Sequence, residues 1–134
     1  MFWNPVGVRM DLELDGNAVL TTASTSGLGL ASATALAREG ANVTICGRDP
    51  DRLAEAEERV EAAGEGDVLA LQADVTDRED VTALVDATVE EFGGIDHVVT
   101  SAGGVPSGSF LDMSDADWYG AFDVLVMAHV WTLE

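Results

Sequence analysis

Residues 22–29 read Thr22-Ala23-Ser24-Thr25-Ser26-Gly27-Leu28-Gly29 and form a glycine-rich turn that decides the fold. A short apolar run with β-branched residues precedes the turn at residues 18–23, which we predict as the first strand. Residues 27–39 follow with apolar side chains at helical spacing, and Gly40 closes this predicted helix. A turn between a strand and a helix can place backbone N–H groups around a pyrophosphate. We therefore predict a phosphate-binding turn, with a plain tight turn as the alternative.

Strands and helices alternate along the rest of the chain. Asp49 and Pro50 begin a second helix as its N-cap and first residue. The segment from Thr76 to Glu79 has the form of a capping box for a third helix. The predicted strands cover residues 18–23, 42–46, 67–73 and 95–101, and the predicted helices cover residues 27–39, 50–63, 77–92 and 115–134. This alternation favours an α/β fold with one parallel sheet and right-handed crossovers.

The last predicted helix is unusually apolar. Ser114 is predicted to cap it, and Asp115 is its first residue. From residue 121 onward, apolar side chains cover nearly its whole circumference: Phe122, Val124, Leu125, Val126, Val130, Trp131 and Leu133. Such a distribution predicts burial on two sides of the helix in the intact fold. In a chain truncated after this helix, we expect the helix to show apolar surface to water.

Composition narrows the classes of partner. The chain has 25 acidic and 6 basic residues, a net charge of −19, which repels nucleic acid and anionic membrane surfaces alike. An acidic excess of this size is typical of proteins that work in concentrated salt, so we expect a halophilic source. Cys46 is the only cysteine, and no long apolar run is present, which together favour a cytoplasmic protein.

The glycine turn is similar to that of one enzyme family. Its motif reads TGxxxGxG in short-chain dehydrogenase/reductases, and Gly27 and Gly29 match its second and third glycines, whereas Ala23 stands at the first. The resemblance extends from Leu14 to about Leu133. It implies a Rossmann-like, doubly wound sheet of strand order 3-2-1-4, truncated after the fourth strand and its helix. It also implies that the turn residues Ser24, Thr25, Ser26, Gly27, Leu28 and Gly29 bind a dinucleotide.

The end of the second predicted strand bears on the choice of cofactor. NAD-binding folds usually place an acidic residue there to hold the ribose hydroxyls, but this chain has Gly47 followed by Arg48. A guanidinium at that point can bind a 2′-phosphate through two parallel hydrogen bonds, so NADP(H) is favoured over NAD(H). The alternative is an exposed arginine that pairs with Asp49 or Asp51.

Two further pairs match the family pattern after the third and fourth strands. Asp74 and Val75 resemble the pair that contacts adenine, although Asp74 could instead begin a turn. Ala102 and Gly103 match the second half of an NNAG motif, in which Thr100 and Ser101 replace both asparagines. The resemblance implies that these four matching residues contact the dinucleotide.

The family's catalytic residues are not found in this sequence. Leu125 occupies the position of the family's helix asparagine, Tyr119 is followed four residues later by Asp123, and the chain contains no lysine. The family's proton relay needs a tyrosine whose pKa is lowered by a nearby ammonium group. We therefore predict no catalytic residue, no metal ligand and no activity for this chain alone. His97 and His129 are predicted to be packed structural histidines.

These patterns define two hypotheses. The first is an NADP-preferring oxidoreductase acting on a carbonyl or alcohol, of which residues 10–134 form a partial dinucleotide-binding domain and residues 1–9 a loose extension. The second is a non-catalytic nucleotide-binding or interaction module. A methyltransferase on a similar sheet is disfavoured by Arg48 and by the Ala102-Gly103 loop. The family implies a homodimer through the last helix, and a fourth strand at the sheet edge would leave backbone groups unpaired.

Overall fold

The fold was analysed in a computed structural model that describes residues 10–134, so the predicted extension at residues 1–9 lies outside the described residues. The strands are β1 (Ala18–Thr21), β2 (Asn42–Gly47), β3 (Val68–Gln72) and β4 (His97–Val99). The helices are α1 (Gly27–Arg38), α2 (Pro50–Glu61), α3 (Arg78–Phe92), α4 (Asp115–Phe122) and α5 (Ala128–Leu133). A 3₁₀ turn covers Phe110–Asp112, and a π-helical segment, Asp123–Met127, joins α4 to α5.

All four strands are parallel, and their spatial order is β3-β2-β1-β4. This arrangement confirms the predicted fold and the predicted strand order. β1 and β2 are almost entirely buried because helices cover the sheet on both faces. β4 pairs only with β1, so it forms one edge of the sheet, as predicted.

The core has one layer on each face of the sheet. Val19, Val43 and Ile45 pack against α1 and α2, whereas Leu20 and Cys46 face α3 and α5. Successive strand residues point to opposite faces, which explains why neighbours in one strand join different clusters. Each fully buried aliphatic side chain contributes about 2 kcal/mol through removal of apolar area from water. The doubly wound core therefore rests on the short apolar runs of the sequence.

The start of α3 corrects a sequence prediction. Asp77, not Thr76, is the N-cap, and its carboxylate accepts hydrogen bonds from the amides of Glu79 and Asp80. The Thr76 hydroxyl instead donates to Asp74 Oδ1 over 2.6 Å. Two acceptor side chains stand in adjacent positions here, and a carboxylate binds helix amides more strongly than a hydroxyl does.

The last helix is less buried than its sequence indicates. Ser114 caps α4 in a capping box with Asp117, as predicted, and Ala128 and Thr132 are buried. Apolar side chains on the other faces remain in contact with water, with Leu133 66%, Leu125 52% and Phe122 52% exposed. Only α3 covers this helix substantially, so the described chain does not bury it on two sides. Its other side shows apolar surface to water, which is the outcome expected of a partial chain.

His97 also differs from expectation. The sequence predicts a packed histidine, but His97 is exposed at the start of the edge strand, where its Nε2 lies 2.9 Å from Asn17 Nδ2. Among residues 10–134, no helix is both long and apolar enough to cross a bilayer.

Candidate functional site

A cavity of about 460 Å³ lies at the carboxyl ends of the four strands. Every strand contributes the loop that follows it, which is where open parallel sheets bind ligands. The lining residues are Ala23, Thr25, Ser26, Gly27, Leu28, Gly47, Arg48, Arg52, Ala73, Asp74, Val75, Thr76, Ser101, Ala102, Gly103, Gly104 and Val124. Nine of the eleven residues predicted from the sequence are therefore brought together, and Ser24 and Gly29 are not among the lining residues.

Gly29 shapes the glycine turn from behind the cavity. A Cβ added at Gly29 would lie 2.4 Å from the carbonyl oxygen of Ala23 and 3.0 Å from Ser24 Cα. Real Cβ atoms do not approach a backbone oxygen so closely, so only glycine lets the turn pack against the first turn of α1. Gly27 has a φ of +56°, which also favours glycine.

Ser24 holds the turn to the sheet. Its buried hydroxyl donates to the Thr21 carbonyl over 2.9 Å and accepts from the Cys46 amide over 2.9 Å. The Ser24 amide donates to the Cys46 carbonyl over 3.0 Å. These bonds join the end of β1 to the end of β2, so the Ser24 side chain is committed to the fold and does not face the cavity.

Ala23 adopts a left-handed backbone conformation, with φ of +46°. This is the position at which the family motif has its first glycine. A Cβ in this region costs roughly 1 kcal/mol or more because it crowds the backbone. Ala23 is also one of the residues that line the cavity. The substitution is therefore a point of strain at the candidate site.

Replacing Ala23 with glycine should relieve this strain. We expect Ala23→Gly to raise the free energy of unfolding by about 1 kcal/mol, since the penalty for the left-handed conformation disappears. Denaturant unfolding followed by circular dichroism would measure the change. Ala31→Gly, at an exposed position of α1, is the matched control and should lower the stability by about 1 kcal/mol. A loss of stability in both variants would contradict the claim that the backbone of Ala23 is strained.

Arg48 follows β2 and reaches over the cavity. Its Nη2 lies 3.9 Å from the point at which Gly103 would carry a Cβ. Within the described chain no ion pair joins Arg48 to Asp49 or Asp51, the partners of the alternative interpretation. Asp49 instead caps α2 by accepting from the amides of Asp51 and Arg52. The Arg48 guanidinium is therefore available to a ligand.

Gly47 permits a tight contact beside Arg48. A Cβ added there would lie 2.2 Å from Cγ2 of Thr25, a residue of the glycine turn. Because Gly47 has no side chain, the turn and the end of β2 approach each other and close one side of the cavity. The position that is often acidic in NAD-binding folds is therefore a glycine in this chain, and Thr25 fills the space that a side chain would need.

Asp74 presents an ionised carboxylate at the end of β3. The Thr76 hydroxyl is the main cause that lowers the pKa of Asp74, the Thr76 amide and the Arg48 charge lower it further, and burial opposes them. Its own amide donates to Asp80 Oδ2 over 2.8 Å. Asp74 therefore begins a turn, which was the alternative interpretation, and it also lines the cavity. Val75 lies beside it with 9% of its surface exposed.

The loop after β4 is fixed by Thr22. The Thr22 hydroxyl donates to the Ser101 carbonyl over 2.8 Å, and the Ser101 amide donates back to the same hydroxyl over 2.8 Å. This two-way bond holds the end of β4 against the end of β1. Ala102 and Gly103, which the sequence predicts to contact the dinucleotide, consequently line the cavity.

Sequence reasoning missed several lining residues, of which Arg52 is the most informative. Arg52 lies in the first turn of α2, four residues beyond Arg48. The signal available in the sequence was a second arginine close behind the first in a chain with few basic residues. Thr76, Gly104 and Val124 gave no comparable signal because their types are common in loops and helices.

Potential catalytic groups are sparse in the described residues. Burial raises the pKa of the Cys46 thiol to about 11, which keeps it protonated and unreactive at neutral pH. Tyr119 is 74% exposed and does not line the cavity, and Leu125 lies in the π-helical segment. Residues 10–134 contain no group of three or more His, Cys, Asp or Glu side chains arranged to hold a metal ion.

Comparison with known proteins agrees with the geometry. A family model for short chain dehydrogenases matches residues 17–134. An uncharacterized oxidoreductase of Staphylococcus saprophyticus is 35% identical over 122 residues, covering 91% of this chain and 52% of the relative. The uncharacterized oxidoreductase YvrD of Bacillus subtilis is 37% identical over 123 residues, covering 92% of this chain and 46% of the relative. The chain thus spans about half the length of these curated relatives.

Solved structures show the same fold with two different cofactors. L-Sorbose reductase from Gluconobacter frateurii, complexed with NADPH and L-sorbose, superposes with a TM-score of 0.87 at 35% identity, covering 92% of this chain and 47% of the reductase. An NADH-dependent reductase complexed with NAD superposes with a TM-score of 0.82 at 34% identity, covering 92% of this chain and 51% of the reductase.

Proposed function

The chain belongs to the short-chain dehydrogenase family, and from that premise we propose that it binds NADP(H) in preference to NAD(H) as part of an oxidoreductase acting on a carbonyl or alcohol. The observation that carries the proposal is the Arg48 guanidinium, which lines the cavity without an ion-pair partner in the described chain. A guanidinium favours a phosphate ester over the free hydroxyl that NAD presents at the same position.

The residues of the cavity fit the parts of a dinucleotide. The amides of Ser26, Gly27, Leu28 and Gly29 belong to the first turn of α1 and its N-cap, where an anion is stabilised by unpaired N–H groups. Ser26 supplies no side-chain cap to these amides, so they remain free for a diphosphate. Asp74 is ionised and can accept a hydrogen bond from an exocyclic amine, and Val75 offers an apolar contact.

The nicotinamide end belongs at the loop after β4. Ala102 and Gly103 carry little or no side chain, so a ribose can approach the end of that strand. Val124 adds an apolar residue to the lining of the cavity. When bound, the cofactor supplies the hydride, and the chain's own residues bind and orient it.

We further propose that residues 1–134 bind the cofactor without reducing a substrate. The sequence contains no Tyr-x-x-x-Lys, and Leu125 cannot position water as an asparagine amide can. This feature also favours the second candidate, a non-catalytic nucleotide-binding module. Coding sequence that continues past residue 134 into a Tyr-x-x-x-Lys motif would favour the enzyme, whereas retained NADPH binding with a true stop codon would favour the module.

Titration with the two cofactors tests the proposal. The tryptophan emission of the chain is followed as NADPH or NADH is added at several salt concentrations. Trp118 and Trp131 lie in α4 and α5, on either side of the π-helical segment whose Val124 lines the cavity. We expect at least tenfold tighter binding of NADPH, since hydrogen bonds to a charged group are worth about 1.5–3 kcal/mol. Equal affinities would remove the cofactor assignment. Thermal stability that falls as salt rises from dilute to molar would remove the proposal of a halophilic source.

The exposed side of the last helix is proposed to be covered by a second copy of the chain. Phe122, Leu125, Val130 and Leu133 are each 43–66% exposed on this helix, which is more apolar surface than an isolated helix face usually presents to water. We expect sedimentation velocity to show self-association that weakens in Leu125→Glu. A monodisperse monomer with one sharp unfolding transition would contradict this proposal.

A further inference from the structure

Two arginines, Arg48 and Arg52, line the cavity of a strongly acidic chain. Arg48 and Arg52 are two of only six basic residues, against 25 acidic ones. In a chain of this composition an arginine readily finds a carboxylate, as Arg78 does with Glu134 over 2.7 Å. Within residues 10–134, neither Arg48 nor Arg52 forms such an ion pair. Their charges are therefore concentrated at the cavity and left uncompensated by direct contact.

The two arginines approach the cavity from different elements. Arg48 follows β2 directly, and its Nη2 extends toward Gly103 on the far side of the cavity. Arg52 belongs to the first turn of α2, and its amide is fixed by Asp49 Oδ1 over 3.2 Å. The carboxylates of Asp49 and Asp51 do not line the cavity, although both lie between the arginines in the sequence. Both arginines, but neither of these two carboxylates, therefore border the space in which an anion would bind.

Arg48 is also partly engaged within the protein. Its charge is one of the causes that lower the pKa of Asp74. A single guanidinium beside a carboxylate compensates only part of a dianionic phosphate ester. A second guanidinium supplies the missing charge and further N–H donors.

We propose that Arg52 is a second specificity-determining residue, which binds the 2′-phosphate of NADP(H) together with Arg48. The inference rests on the proposed NADP(H) preference and assigns a residue for which the family motifs give no signal. We expect the Arg52 side chain to strengthen binding of NADP(H), which carries the 2′-phosphate, and not to affect binding of NAD(H), which lacks it.

Binding of two nucleotide fragments tests the inference without a catalytic assay. 2′,5′-ADP carries the 2′-phosphate, 5′-AMP lacks it, and both are measured by calorimetry on the full chain. We expect Arg52→Gln to weaken 2′,5′-ADP about tenfold or more and to change 5′-AMP by less than about twofold. Arg52→Lys, which keeps the charge, should recover part of the loss. Arg59→Gln, at an exposed position later in α2, is the matched control and should change neither affinity.

Each other outcome overturns the inference in a recognisable way. Unchanged 2′,5′-ADP binding by Arg52→Gln, together with a loss in Arg48→Gln, would reject Arg52 and retain the NADP(H) proposal. Equal losses for both fragments would show that Arg52 acts on the shared part of the nucleotide or on the fold. A parent chain that does not distinguish the two fragments would reject the NADP(H) proposal itself. Circular dichroism of each variant reports whether α2 remains folded.

Discussion

Gly29→Ala should lower the free energy of unfolding by about 3 kcal/mol and abolish dinucleotide binding. The new Cβ would lie 2.4 Å from the Ala23 carbonyl oxygen, and both atoms belong to segments that cannot move independently. Ala23 is already held at a φ of +46°, and Ser24 is tied to β2 by its hydroxyl. Overpacking against backbone costs about 1–3 kcal/mol, and this contact is at the severe end. Denaturant unfolding and NADPH titration measure the two effects.

Gly94→Ala is the matched control for this substitution. A Cβ at Gly94 would meet nothing within 4 Å, and the residue lies outside the cavity. We expect its stability to change by less than about 0.5 kcal/mol, as for most surface substitutions. If Gly29→Ala were as stable as Gly94→Ala, the turn would not be packed as described.

Arg48→Gln should weaken NADPH binding by about tenfold to a hundredfold while changing NADH binding by less than about threefold. The reason is that glutamine keeps hydrogen-bonding capacity but removes the charge that pairs with the 2′-phosphate. The backbone carbonyl of Arg48, which accepts from Gln72 Nε2 over 2.9 Å, is unaffected by the change. Fluorescence titration of both cofactors measures the difference between them.

Salt dependence separates this charge effect from a general change of the site. The preference of the parent chain for NADPH should shrink as salt rises, because screening weakens an exposed phosphate–guanidinium contact. In Arg48→Gln the smaller remaining preference should change less with salt. A parallel loss of NADPH and NADH affinity would contradict a 2′-phosphate contact and indicate a disturbed cavity.

The sequence predicted the fold well because its signals are local and periodic. Apolar runs, glycine turns and N-caps specify each strand and helix, and a chain that alternates them has few topologies to choose from. The strand order and the edge position of β4 were predicted correctly. The capping box at Thr76 was wrong because the adjacent Asp77 is the stronger competitor for the same helix amides.

Burial of the last helix was harder to predict, since periodicity shows which side chains are apolar and not what covers them. Leu125 and Leu133 match a buried pattern in sequence, yet both are more than half exposed in the described chain. His97 was predicted to be packed because it lies within a strand. The strand stands at the sheet edge, and its first residue faces water.

Some residues of the candidate site were likewise predictable from the sequence, and others were not. Residues in the motif, such as Gly27, Arg48 and Gly103, were placed at the cavity because the carboxyl ends of parallel strands meet there. Ser24 fits the motif equally well but faces the sheet, a difference that depends on the direction of one side chain. Arg52 comes from a helix turn, and only the packing of α2 against the sheet brings it to the cavity.

The most direct test of the central claim is an amide chemical-shift map of the ¹⁵N-labelled chain with and without NADPH. If the cavity binds the dinucleotide, the largest shifts should fall on the amides of Ser26 to Gly29, on Arg48, on Asp74 and Val75, and on Ala102 and Gly103. Shifts confined to the opposite end of the sheet, around Asp15 and Gly40, would contradict the assignment, as would unshifted amides in the glycine turn at saturating NADPH.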